Sequence, residues 1–315
     1  MINRLCFLCF ALFLHAITSY AQQFPDKVNA KDSSRYIYRF LSGDTLLYEA
    51  ISRDSILIDK QPALLRDRIE RFLLSCDSVD KQGRMHLSQR LIDVSIAEYS
   101  GISQIIDRKA HEWLNKKISL IIDSTGKRHG FGSPDSINSL LSPGSAFQPI
   151  MLQSLGTGYH LINSGWIVED TIDTPECGIP APMIKFLSSM RARAEYDTLN
   201  ITCSRFESTL SGQGTYQTQT ISGQTLRTTG IIAGYSRMAM STALHVPIHF
   251  FGTNENKTTM YVNTSKGTLE QKAKHYVTTN VTLKKMVSTR GIFTVSGTLK
   301  STKPEKSKKK NRKRK

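Results

Sequence analysis

The feature that most limits what this chain can become is a two-residue alternation of apolar and polar side chains, sustained across most of its length. Leu244, Val246, Ile248 and Phe250 share one parity, as do Val277, Thr279, Val281 and Leu283; Ile92, Val94 and Ile96; and Ile118, Leu120 and Ile122. A period of two places such residues on one face of a strand, so each strand has one side for a core and one for water. Turn signals at Ser42, Gly43 and Asp44, at Asp123, Gly126 and Lys127, and at Asp197 and Thr198 separate the runs. Strands joined by short turns become antiparallel neighbours.

The expected fold is therefore mainly β (α+β): a large antiparallel meander or half-barrel with one or two crossing helices. Three segments are the helix candidates. Residues 62–74 carry Leu65, Ile69, Phe72 and Leu73 at helical spacing, although Ile69, Arg71 and Leu73 would equally share a strand face. Residues 142–155 have a cap-like start interrupted by Pro149, and residues 182–190 offer Met183, Phe186, Leu187 and Met190 at i, i+3, i+4 and i+7. Tyr36, Tyr38 and Phe40 read as an opening strand. Arg53, Asp54 and Ser55 read as a break, and the run from Asn254 to Lys257 as a turn.

The ends of the chain differ from its body. Arg4, an apolar run from Leu5 to Ile17 and small residues at Ser19 and Ala21 form a signal peptide over residues 1–21, cleaved before Gln22. Residues 22–299 form one β-rich domain, with a sub-boundary available within the Gly- and Pro-bearing stretch 142–182. Residues 300–315 hold ten Lys or Arg and one acid, a tail of +9 without aliphatic or aromatic side chains. Such a composition does not bury a core. Of the formal charge of +16, the tail holds +9 and Arg4 +1, so the body is only mildly basic at +6. Lys306, Lys308, Lys309, Lys310, Arg312, Lys313, Arg314 and Lys315 are the polyanion-binding candidates. Anionic lipid or surface polysaccharide are the expected partners, and export argues against nucleic acid. Export also places the domain in the bacterial periplasm or cell envelope, or outside the cell.

Loss of the signal peptide leaves Cys76, Cys177 and Cys203. Cys177 and Cys203, nearest in sequence and bracketing a helix candidate, are the expected disulfide, with three reduced buried thiols as the alternative reading. No nucleophile elbow, phosphate loop or dinucleotide fingerprint is present, and His111 and Glu112 lack a second His where Asn115 stands. His245 and His249 flank Pro247, and two imidazoles that far apart on a strand do not share a metal ion. No catalytic residue, metal or cofactor is therefore indicated. The carboxylates Glu169, Asp170, Asp173 and Glu176 after Trp166 are the basis of a competing hydrolase reading.

The opening run Tyr36 to Phe40 leading into Gly43 and Asp44, the many antiparallel strands and the turn from Asp123 to Lys127 resemble exported bacterial β-rich proteins. Their layout is similar to the half-barrel of lipoprotein-carrier proteins. The resemblance implies an open sheet curled around an apolar cavity for a lipid chain or another hydrophobic ligand. The leading expectation is a non-enzymatic exported binding or envelope-associated protein whose basic tail meets anionic surfaces. A structural or polyanion-binding surface protein is the third reading.

Overall fold

Alternation carries the strands further than the turn residues imply. The computed structural model describes residues 33–99, 105–108, 114–132, 149–172, 183–219, 225–264 and 267–295. These residues form β1 (Ser33–Ser34), β2 (Thr45–Ile58), β3 (Gln61–Val79), β4 (Met85–Tyr99), β5 (Ile105–Arg108), β6 (Lys117–Ile122) and β7 (Arg128–Gly132). They continue with β8 (His160–Leu161), β9 (Gly165–Ile172), β10 (Met183–Thr198), β11 (Ile201–Gln219), β12 (Thr225–Ser241), β13 (Pro247–Thr264), β14 (Gly267–Ser288) and β15 (Gly291–Thr294). β1 pairs with β8. The other 13 strands make one antiparallel sheet whose path runs β7-β6-β4-β3-β2-β14-β13-β12-β11-β10-β9, with β15 beside β14 and β5 beside β4.

Two meanders thus meet where the first long strand, β2, pairs with the last, β14. Interrupted register at Arg71/Phe72 and Cys76/Ser78 in β3, and at Arg193/Tyr196 in β10, gives the sheet the local bends that let it curl. Both ends of the path reach one segment: the Leu155 amide donates to the Thr125 carbonyl (2.7 Å), and Trp166 Nε1 donates to the Leu155 carbonyl (2.9 Å). Among the described residues no ladder joins β7 to β9.

The inward parity carries the core, including Leu46, Tyr48, Phe72, Leu74, Leu87, Ile96, Ile122, Phe206, Met238, Phe250 and Leu283. Burying one such side chain stabilises by roughly 1.5–3 kcal/mol. The outward parity is charged: Arg53 pairs with Asp67 (3.3 Å), Arg71 with Glu49 (3.2 Å), Lys284 with Glu49 (2.9 Å) and Arg193 with Glu207 (2.7 Å). The same outer face also carries exposed Ile51, Ile69, Ile167, Leu187 and Ile231, so it is mixed in polarity. No helix among the described residues is long and apolar enough to cross a membrane.

The expected helices are absent from the described residues. Residues 62–74 lie in β3, where Arg68, Glu70, Phe72 and Leu74 all face inward, so the period is two and the helical spacing of Leu65, Ile69 and Phe72 is incidental. Pro62 is tolerated because it stands at the strand's start, next to the register shift at Ile56/Leu57. Residues 183–190 begin β10. Residues 149–155 are irregular, and 142–148 lie outside the described residues.

Three further expectations are corrected. Arg53 to Ser55 is no break: β2 runs through it, with Asp54 facing inward. Asn254 to Lys257 is no turn but the middle of β13, with Asn254 and Asn256 buried. Tyr36, Tyr38 and Phe40 alternate as expected, yet they are not in the sheet. Together with residues 149–155 they fill its concave side. Tyr38 N donates to the Ser124 carbonyl (2.7 Å), Tyr38 Oη donates to the Gln153 carbonyl (3.1 Å), and the Tyr36 ring meets Phe206 edge-on at 4.8 Å. Residues 1–21, read in the sequence as a signal peptide, residues 300–315 and Cys177 lie outside the described residues.

Candidate functional site

At one end of the curl the inward face turns polar. Arg66 Nε donates to Asp54 Oδ2 (2.9 Å), Arg68 Nε lies 2.8 Å from the same oxygen, Arg68 Nη1 donates to Glu70 Oε1 (3.0 Å), and His275 Nε2 sits 3.2 Å from Asp54 Oδ1. Ser52 and Thr279 hydroxyls are hydrogen-bonded at 2.6 Å beside them. Burial opposes ionisation of Asp54, but the His275 hydrogen bond and the Arg68 and Arg66 guanidiniums outweigh it and hold the carboxyl well below its ordinary range. Every member of this cluster has an ionic or hydrogen-bonding partner, and together they tie β2, β3 and β14.

The space inside the curl is small. One cavity of about 70 Å³ lies beside Arg68, Glu70, Gln89 and Arg128; another of about 40 Å³ lies beside Gln153, Ser208, Ser236 and Asn254. Each has room for a few waters. Pro149 and Leu152 border both, so the chain's own segment stands where an enclosed ligand would.

A larger concavity lies on the opposite face. Register aligns Lys185, Gln213, Ile231, Lys257, Lys274 and Leu57 side by side on six consecutive strands, from β10 to β2. Their inward neighbours, such as Phe186, Ile232 and Val277, are buried, which puts this row outside. A second row two residues away runs Thr215, Thr229, Thr259 and Lys272. Six strands at ~4.8 Å span about 24 Å. Together the rows floor an open groove of about 1000 Å³ that also takes in Lys60, and it continues into a depression of about 430 Å³ over Glu169, Thr171, Leu187 and Ser211. The coil of long twisted strands gives a sheet face such a saddle.

Lys257 and Lys274 stand directly opposite each other in the β13–β14 ladder. Like charges so placed are unfavourable by roughly 0.2–1 kcal/mol. Glu255 Oε1 bridges them, 2.9 Å from Lys257 Nζ and 3.2 Å from Lys274 Nζ, while Lys272 pairs with Glu270 at 3.1 Å. Lys274 Nζ also lies 4.5 Å above the Tyr276 ring. The hydrogen bond to Tyr276, then the one to Glu255, raises the Lys274 pKa, and Glu270 raises that of Lys272, so both remain cationic at neutral pH. Among the described residues Lys60 and Lys185 form no ion pair. Five lysines against Asp59, Glu255 and Glu270 leave the groove basic.

The residues singled out in the sequence fall elsewhere. Glu169 and Asp170 are consecutive on β9, so they point to opposite faces: Asp170 lies opposite Phe186, which is buried, and Glu169 opposite the exposed Leu187. An acid/base pair needs both carboxylates on one side; Asp173 and Glu176 are outside the described residues. Cys203 is a buried thiol whose Sγ donates to the Ile201 carbonyl (3.5 Å), and Cys76 is likewise buried; Cys177, the expected disulfide partner of Cys203, lies outside the described residues. Burial pushes the Cys203 thiol up to about 12 and that of Cys76 up to about 11. His249 bonds Asn280 on the outer face, whereas His245 sits in the β12–β13 turn at φ 56°. The groove itself has no sequence signature, since its lysines come from strands far apart in the chain.

No family model matches the chain, and no curated protein matches it. Solved structures with some likeness include the Salmonella typhi OmpF complex with Daunomycin, at 8% identity over 76% of this chain and 98% of that one, TM-score 0.19. Another is a loop L8 deletion mutant of OmpT, an outer membrane protein of Vibrio cholerae, at 9% identity over 77% of this chain and 100% of that one, TM-score 0.13. Scores at this level do not establish a shared fold.

Proposed function

We propose that the protein is a non-enzymatic, exported envelope-associated binding module that meets its partner on the outer face of its sheet instead of enclosing a ligand within the curl. The observation that carries this reading is the pairing of a concave side occupied by Tyr38, Phe40 and Leu155 with an open outer groove of about 1000 Å³. Export and envelope residence rest on the signal-peptide pattern before Gln22, and the basic tail would add attraction to the same anionic surroundings.

The test pairs two measurements on the full chain. Co-sedimentation with bacterial envelope fragments is expected, and reversing charge at Lys185→Glu and Lys257→Glu should reduce it severalfold. A fluorescent fatty acid should show no stoichiometric uptake. Uptake at one per chain, with co-sedimentation unchanged by the reversals, would return the ligand to the interior and overturn the reading.

A further inference from the structure

Resting on the outer-face reading, we propose that the groove's ligand is an acidic polysaccharide lying across the strands. Three features of the two rows select this class. Cationic side chains at Lys185, Lys257, Lys272 and Lys274 are interleaved with neutral hydrogen-bonding ones at Gln213, Thr215, Thr229 and Thr259, the mixture that a polymer bearing both carboxylates and hydroxyls satisfies. Lys257 and Lys274 stand face to face and share a single carboxylate, Glu255, so the pair keeps a net charge of +1 to offer a ligand anion. The groove runs perpendicular to the strands, over about five inter-strand spacings, or ~24 Å, which suits an extended polymer better than a small anion.

The same geometry disfavours the other polyanions. Single-stranded nucleic acid is held by stacking on several aromatic rings, and Tyr276 is the one aromatic among the lining residues. A peptide binds a sheet by adding to its edge, yet every strand under the two rows is paired on both sides except β10's neighbour β9 at the margin. A flat lipid surface does not reach the floor of a concave groove.

The experiment measures binding of the full chain to three probes at ~0.15 M salt, near physiological ionic strength: an oligogalacturonate, a neutral galactan of similar length, and oligo-dT; vesicles containing phosphatidylglycerol form a fourth arm. Lys257→Gln with Lys274→Gln is compared with Arg53→Gln with Arg71→Gln, which removes the same charge from the same outer face away from the groove. The basic tail is present in both, so its background cancels, and thermal unfolding confirms that both variants fold. The expected result is oligogalacturonate binding above the galactan, weakened about tenfold or more by the lysine pair and little by the arginine pair. Equal weakening by both pairs, or no preference for the uronate over the galactan, overturns the proposal. Tighter binding of oligo-dT or vesicles that the lysine pair abolishes overturns the polysaccharide while leaving the outer-face reading standing. Absence of binding to every probe sinks the proposal as well.

Discussion

Gly126 offers the sharpest test of how the concave side is filled. It has φ +83°, and a Cβ placed there would lie 2.4 Å from the Gln153 carbonyl oxygen and 2.6 Å from Tyr38 Cε2. Ordinary van der Waals contact begins near 3.4 Å, so the overlap is about 1 Å against a backbone atom that cannot rotate away. Gly126 thus stands where the β6–β7 turn, the Tyr38 segment and the Gln153 segment touch. Gly43 (φ +88°) and Gly83 (φ +78°) have the same backbone requirement, but an added methyl at either would meet nothing within 4 Å. Replacing either by Ala adds only left-handed strain, about 1–2 kcal/mol. Gly126→Ala adds that strain and an overpacking penalty of roughly 1–3 kcal/mol, for a total of about 2–5 kcal/mol.

Urea unfolding of the three variants separates the two contributions. Similar m-values, with stability lowered modestly in Gly43→Ala and Gly83→Ala and by about 1–3 kcal/mol more in Gly126→Ala, are the expected outcome. If all three variants lose the same stability, the Tyr38 and 149–155 segments are not packed against this turn, and the occupied concave side on which the outer-face reading depends is lost with them.

Asp54→Asn leaves buried Arg68 and half-buried Arg66 short of their carboxylate, and should cost about 3–5 kcal/mol by chemical denaturation; a loss under about 1 kcal/mol would show the cluster to be solvated. Because the folded-state pKa of Asp54 is depressed, its contribution is present above the ordinary carboxylate pKa, about 4, and fades as the pH falls below it. The native chain should therefore lose stability on acidification below pH ~4 more steeply than Asp54→Asn, and parallel profiles would contradict this. Cys76 and Cys203, buried with raised thiol pKa values, should resist iodoacetamide at pH ~8 until the chain unfolds, as peptide mapping by mass spectrometry would show; rapid native labelling at either would refute their burial. Tyr48→Phe removes the hydroxyl that donates to the buried Pro247 carbonyl (2.9 Å) and should destabilise by about 1–3 kcal/mol in the same urea assay, with no change arguing against that bond.

Much of the fold was legible because alternation is local. The parity of Leu244 to Phe250 and of Val277 to Leu283 needs only near neighbours to define a strand and its buried face. Polar residues inside strands are what a local reading misses. Asp54 looks like punctuation until Arg66, Arg68 and His275 supply a reason to bury it, and Asn254 looks the same although β13 runs through it with the side chain buried. Arg66, Arg68 and Glu70 likewise alternate on one parity with Phe72 and Leu74, which tells strand from helix once charged residues are allowed to face inward. Tyr36, Tyr38 and Phe40 showed the right burial, but a run that packs against a sheet and a run that joins it have the same pattern, and only their hydrogen-bond partners distinguish them.

The β-rich character, the antiparallel hairpins and the concentration of positive charge in the final residues can all be read along the chain, because each follows from contacts or composition within a short stretch. Which side of the curl is filled, and which lysines become neighbours, follow only from the folded arrangement. Lys185, Lys257, Lys274 and Leu57 form one row only because five ladders hold their registers simultaneously, and a slip of one residue in any ladder would send part of the row to the other face. Register of that kind is a sum over strands separated by up to the length of the domain, and no window of sequence contains it.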